Sequence, residues 1–146
     1  MGRSSFVLLV LPLLATSTNI FAQSTVEQRP SEDPKIDFTL GQNYPNPSNS
    51  ETRIPFDLHE TLFNDGGTAL VSMRIYNVLL QFVATPLVGR QPNGLGPLID
   101  LEYSQPGRHE AYWDGRDHLG QAVASGTYFG QMRVNGAMAI IRMYVN

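Results

Sequence analysis

Tyr112-Trp113-Asp114-Gly115-Arg116-Asp117-His118-Leu119-Gly120-Gln121-Ala122-Val123-Ala124-Ser125-Gly126-Thr127-Tyr128-Phe129 is the stretch whose reading decides the fold. It enters on an alternating segment that ends in the only tryptophan, and it leaves on an aromatic-rich segment. Between them lie glycine, aspartate and small polar residues, so the pattern is strand, long turn, strand. Asp114-Gly115 suits the start of the turn: glycine tolerates positive φ, and an aspartate carboxylate can accept from the backbone two residues on. Gly120 and Gly126 allow two further bends.

Working outward, Ala111 and Trp113 share one face of the left-hand strand, with Glu110 and Tyr112 on the other. On the right, Tyr128, Gly130, Met132 and Val134 share a face. Asn135-Gly136 then supplies the two positive φ values of a type I′ hairpin turn. The last strand follows with Ala139, Ile141, Met143 and Val145 pointing inward. Upstream, Ile54, Phe56 and Leu58 alternate with Arg53, Pro55 and Asp57, and Val71, Met73 and Ile75 with Ser72, Arg74 and Tyr76, both at the period of half-buried strands. Pro55 has no N–H, so its strand is expected at an edge or unpaired at that position. Residues 77–81 should turn the chain into a strand at 82–85, and 98–103 could add a short one. Phe38-Thr39-Leu40 opens the domain, and Asn43-Tyr44-Pro45-Asn46-Pro47 fixes two φ angles, with Tyr44 expected as a lid on the core.

Ten prolines, thirteen glycines and no long helical period favour an all-β architecture. The 146 residues leave room for one domain, and about 100 residues can build a core without metals or disulfides. There is no cysteine, which excludes lipoprotein anchoring, disulfides, thiolate metal sites and cysteine nucleophiles.

Residues 1–22 carry Arg3, an apolar run from Phe6 to Ala15 and a polar stretch to Ala22, the layout of a secretory signal peptide. Cleavage is expected after Ala22. A cut near Ser17 is the alternative, because Ile20 is larger than the residue usually found three before the cut, and an uncleaved anchor is the other. Residues 23–37 hold almost no large apolar side chain and read as a flexible linker. The formal charge of −3 is spread in both signs without a basic stripe, which speaks against nucleic acid and against a membrane surface.

Asp114, Asp117 and His118 lie close enough in sequence to suggest a metal or an acid–base pair. Asp-Gly turns form for conformational reasons, however, and a single imidazole is a thin ligand set. A weak structural calcium is the one version the available oxygens would suit. Asp100, Glu102, Glu110 and Asp114 have no scaffold for a glycosidase cleft, and Ala124-Ser125-Gly126-Thr127 is not a nucleophile elbow. No catalytic residue, cofactor or metal is therefore expected. Tyr128 suits a tyrosine corner, its hydroxyl on nearby backbone, and Trp113 suits the core.

The run from Trp113 to Phe129, with Gly41-Gln42-Asn43-Tyr44-Pro45-Asn46-Pro47 before it and Ile141-Arg142-Met143-Tyr144-Val145 after it, resembles the C-terminal sorting domain (type A) of the type IX secretion system. That family is close in sequence to the Ig-like domain of the flagellar hook-capping protein. The resemblance implies an Ig-like or fibronectin-type antiparallel β-sandwich of about seven strands over residues 38–146. It implies export through Sec to the periplasm, recognition by the type IX translocon, and removal by a sortase-like protease as cargo reaches the cell surface or the medium. The matching positions are Asp114, Gly115, Gly126, Tyr128, Arg142, Met143, Tyr144 and Val145. Three positions depart from the pattern: Ser48 where the family has Phe, Leu80 where a turn glycine is usual, and Arg142 near a usual Lys. Typical members follow a large catalytic or adhesive domain, whereas here a signal peptide precedes. Two alternatives therefore stand beside a sorting role, a free-standing secreted binding or adhesion module and a structural cap or scaffold. A small hydrolase comes last.

Overall fold

The computed structural model describes residues 36–90 and 94–146, all within the compact unit Glu32–Asn146. The expected signal peptide and residues 23–35 of the expected linker lie outside the described residues. Asp37, the last of that linker, is already bound to the domain: its carbonyl accepts from His59 N–H at 3.0 Å and its carboxylate from Thr61 Oγ1 at 2.6 Å.

The described residues form ten strands: β1 Phe38–Leu40, β2 Thr52–Leu58, β3 Ala69–Asn77, β4 Phe82–Ala84, β5 Leu87–Arg90, β6 Gly94–Pro97, β7 Leu101–Tyr103, β8 Gly107–Trp113, β9 Gly126–Val134 and β10 Ala137–Val145. A short 3-10 segment, Glu60–Gly66, joins β2 to β3. One antiparallel sheet has the order β1-β2-β8-β5-β6. The other runs β10-β9-β3, with β4 and β7 sharing the far edge of β3. The two sheets make an all-β, Ig-like sandwich. The surplus over the expected seven or so strands comes mainly from the enlarged region after β4, where β5, β6 and β7 form. The β5–β6 hairpin has no alternating apolar pattern to reveal it, only glycine and proline around Val88 and Leu95.

The alternating residues meet between the sheets as their period requires. Ile54, Phe56, Val71, Met73, Ile75, Ala111, Met132 and Met143 are all inaccessible to solvent, and Trp113 is 2% exposed. Leu98, from the link between β6 and β7, also reaches zero exposure; its carbonyl accepts from Met73 N–H and its N–H donates to Pro86 O. With no thiol in the chain, no disulfide adds to this packing and these hydrogen bonds.

Pro55 sits inside a sheet, not at its edge. Its missing N–H faces the β1 side just past the Leu40–Phe56 pair, where β1 ends, and its carbonyl accepts from Gly41 N–H at 2.8 Å. The position is thus the unpaired one the sequence allows. At the β3–β4 turn Leu80 takes φ +58, the conformation for which glycine is usual, and it is 73% exposed. Asn77 braces the turn by accepting at Oδ1 from the N–H groups of Leu79 and Gln81, both at 3.0 Å. Asn135 and Gly136 both have positive φ, as the type I′ turn demands.

Candidate recognition surface at the terminal strand

The long turn between β8 and β9 is held by its own backbone. Asp114 Oδ1 accepts from Arg116 N–H at 3.0 Å, and Asp117 Oδ1 accepts from Leu119 and Gln121 N–H, both at 2.9 Å. His118 donates its N–H to Val83 O at 2.7 Å and lays its ring 5.6 Å from that of Phe82. These residues shape a turn and pin it to β4. Gly115 takes φ +71 and packs so closely under the neighbouring loop that a Cβ there would lie 2.0 Å from Ser50 O. Trp113 donates Nε1–H to Arg116 O at 2.9 Å and meets the Tyr128 ring edge-on at 5.5 Å. The Tyr128 hydroxyl donates to Ala124 O at 2.7 Å, which is the tyrosine corner expected from the sequence; burial pushes that phenol above its ordinary pKa, so it stays a donor.

The β9–β10 register brings most of the family-matching positions together. Val145 stands opposite Gly126, Met143 opposite Tyr128, Tyr144 opposite Thr127 and Arg142 opposite Phe129. Because side chains alternate across a strand, these residues divide into two groups. Tyr128, Met143 and Val145 are buried and belong to the core, with Gly115 buried under the turn. Arg142 and Tyr144 point outward, with Tyr144 39% exposed and the Arg142 guanidinium 5.7 Å from the Tyr144 ring centroid, a cation–π pair. Asp114 is exposed but bound to its own turn. Of the eight positions, only Arg142 and Tyr144 present outward side chains on the strand itself, stacked on each other.

The sequence did not reveal that the proline motif sits against this strand. Gln42 Nε2 donates to Arg142 O at 2.9 Å, Tyr144 N–H donates to Asn46 Oδ1 at 2.9 Å, Ser48 N–H donates to Tyr144 O at 2.9 Å, and Asn146 N–H donates to Ser48 O at 2.9 Å. Residues 42–48 therefore cover the outer edge of the end of β10, with Ser48 and Val145 as a parallel bridge. Two motifs almost a hundred residues apart form one surface. Ser48, in the family's Phe position, is 1% exposed and serves the bridge. Asn43 is the buried member of the motif, 2% exposed, donating to Thr52 Oγ1 at 2.9 Å and to Pro45 O at 3.2 Å. Tyr44 is not the expected lid. It is 46% exposed on the outer face of the first sheet, its hydroxyl donating to Glu110, which also pairs with Arg53 at 3.2 Å. With Asn43 directed inward, the next side chain of an extended path faces out. Only the richness of the motif in side-chain amides hinted at a cover for backbone groups.

Among the described residues, the hydrogen bonds from residues 42–48 reach β10 no further back than Arg142. Met138 and Ile140 carry the edge strand onward with side chains 46% and 54% exposed. Among the described residues, no helix is long and apolar enough to cross a membrane.

The fold and this edge define a class: an Ig-like β-sandwich whose last strand is both a core element and a presented edge. Among solved structures the chain is similar to dimeric latent PorU from Porphyromonas gingivalis, with a TM-score of 0.51 at 18% sequence identity. The match covers 74% of this chain and 9% of that one, so the likeness is to one domain-sized part of a much longer protein. No protein-family model matches the chain, and no curated protein matches it in sequence.

Proposed function

We propose that this chain is a non-enzymatic sorting domain of the type IX secretion system, carried through Sec to the periplasm and then recognised for export or surface attachment. The observation that carries the reading is the likeness of three quarters of the chain to part of PorU, a type IX secretion protein. The resemblance in sequence supports it independently, because two of the three motifs that carry it converge on the end of β10. In this reading the partners are the translocon and a sortase-like protease, and Arg142 and Tyr144 are what the translocon reads, on a strand end made rigid by Gln42, Asn46 and Ser48. Asp114, Gly115, Gly126, Tyr128, Met143 and Val145 act by maintaining that presentation.

The test is export of a reporter that carries its own Sec signal and is fused ahead of residues 23–146, in a bacterium with an intact type IX system. Removing residues 142–146 would also strip Met143 and Val145 from the core, so Arg142→Gln with Tyr144→Thr is the sharper variant. The reporter should reach the outside with the native domain and stay in the periplasm with the double variant or in a translocon mutant. Periplasmic retention in every case would overturn the sorting reading. A secreted binding module would then be preferred, and one observation favours it: Val78, Leu79 and Leu80 at the β3–β4 turn and Leu119 at the neighbouring turn are 61–73% exposed, a cluster of the kind that marks interaction sites.

A further inference from the structure

On the outer face of the second sheet two arginines stand as neighbours, with Asp100 and Glu102 toward the β7 edge. Arg74 on β3 and Arg133 on β9 are diagonal neighbours, since Arg74 stands opposite Gln131 and Ser72 opposite Arg133. Like charges so placed repel each other. Neither guanidinium has a hydrogen bond or ion pair among the described residues, whereas Arg53 is paired with Glu110 and Arg116 donates to Gly120 O. The two line a depression of about 210 Å³ together with Tyr76, Gln131, Ser72 and Asp100. Asp100 forms no ion pair with either among the described residues, although its charge offsets part of theirs. Its carboxylate accepts from Ser72 Oγ at 2.7 Å while its N–H donates back to the same oxygen at 2.8 Å, and this pairing holds it at the rim.

From this we infer that the depression is a carboxylate-binding site, and that its occupant is an acidic segment of a protein partner laid across β3, β9 and β10. Two guanidiniums can grip one carboxylate through parallel charge-assisted bonds, and the Tyr76 hydroxyl adds a donor. The surroundings identify a protein segment and not a bare anion. Met138 stands opposite Arg133 and Ile140 opposite Gln131 in the ladder, so exposed apolar side chains border the cationic pair. Leu70, 47% exposed, extends that border on β3, and beyond it Glu102 stands opposite on β7 and sets the acidic limit of the patch. A small ion would leave them wet, whereas a chain alternating glutamate with valine or leucine covers them while its carboxylate sits between the arginines. The site does not depend on the sorting reading, because a free-standing binding module would present the same face.

The experiment is amide NMR of the isotope-labelled chain titrated with a short peptide that alternates glutamate with valine and leucine. Its counterpart with glutamine for glutamate, and inorganic phosphate alone, are the comparison arms. The glutamate peptide should shift amides of residues 71–75, 130–134 and 138–140 and bind about tenfold more tightly than the glutamine peptide, with added salt narrowing the gap. Arg74→Gln and Arg133→Gln, both exposed and remote from the core, should each remove most of that preference. Equal binding of the two peptides, or binding of neither, overturns the site. Phosphate shifting the same amides as strongly as the glutamate peptide overturns the assignment to a protein segment.

Discussion

Gly115 is where a single methylene most sharply tests how the organising turn is built. A Cβ at this position would lie 2.0 Å from Ser50 O, 2.9 Å from Ser50 C and 3.3 Å from Ser50 Cα. All three are backbone atoms, so no rotamer change relieves the clash and the loop before β2 must move. The φ of +71 adds the left-handed penalty, about 1–2 kcal/mol for a residue with a Cβ, offset in part by the roughly 0.4–1 kcal/mol gained from stiffening the unfolded chain. Displacing packed backbone adds about 1–3 kcal/mol. Gly115→Ala should therefore destabilise by about 2–4 kcal/mol. Gly120 supplies the control, because it has φ +81 and nothing within 4 Å of a built Cβ. Gly120→Ala should show the conformational part alone, about 1 kcal/mol or less. Urea unfolding followed by tryptophan fluorescence reports at the right place, as Trp113 is two residues from Gly115. At the usual slope of about 1–3 kcal/mol per molar for small proteins, the two midpoints should differ by about 1 M. If both variants fall together within about 0.5 kcal/mol, the contact with Ser50 is not what holds this turn.

Leu80→Gly should stabilise the protein by about 0.5 kcal/mol, because relief of the φ +58 strain outweighs the entropy of a freer unfolded chain and the 73% exposed side chain has little packing to lose; a lowered melting temperature would contradict this. Tyr128→Phe should cost about 1 kcal/mol in urea unfolding by losing the bond to Ala124 O, with the ring still on Trp113, and a loss below about 0.3 kcal/mol would mean that the corner does not brace the sandwich. His109 lies 5.3 Å from the Phe56 ring and 4.6 Å from that of Tyr103, with its Nε2 buried and without a hydrogen-bond partner among the described residues, and burial holds its pKa below the ordinary value against an upward pull from Asp57. The unfolded chain then binds the proton more readily, so this contribution is complete above about pH 6.5 and is lost as pH falls from there through the lower folded value. His109→Phe should flatten that part of the stability profile between neutral and mildly acidic pH, and an unchanged slope would assign it to the carboxylates.

Much of this architecture was legible in the chain because it depends on interactions between near neighbours. The period-2 runs at 54–58, 71–75 and 128–134 named their own buried faces, since burying one face of a sheet requires alternation and nothing else. Asn135-Gly136 specified a hairpin through two φ values, and the spacing of Ala124 from Tyr128 is short enough for the corner to close on itself. Leu80 stands in its turn where glycine is usual, and it has the positive φ that glycine supplies. The other elements depend on distant partners. Gly94–Pro97 becomes a strand because Leu87–Arg90 lies beside it, and neither has an apolar rhythm of its own. Tyr44 looked like a core ring because it is large and aromatic, but Asn43 took the buried place by bonding Thr52, which turned the ring outward.

The division follows from what each kind of interaction can sense. By itself the sequence determined the secondary structure of the long strands, their inward residues and the geometry of the tight turns, because propensity, period and φ preference act over a few residues. Only the tertiary structure decided that residues 42–48 seal the end of β10, that Arg142 and Tyr144 alone face outward from the terminal motif, and that Arg74 and Arg133 become neighbours. Each of those depends on strand order and register, which are chosen by the joint burial of every strand at once and leave no mark in any one segment.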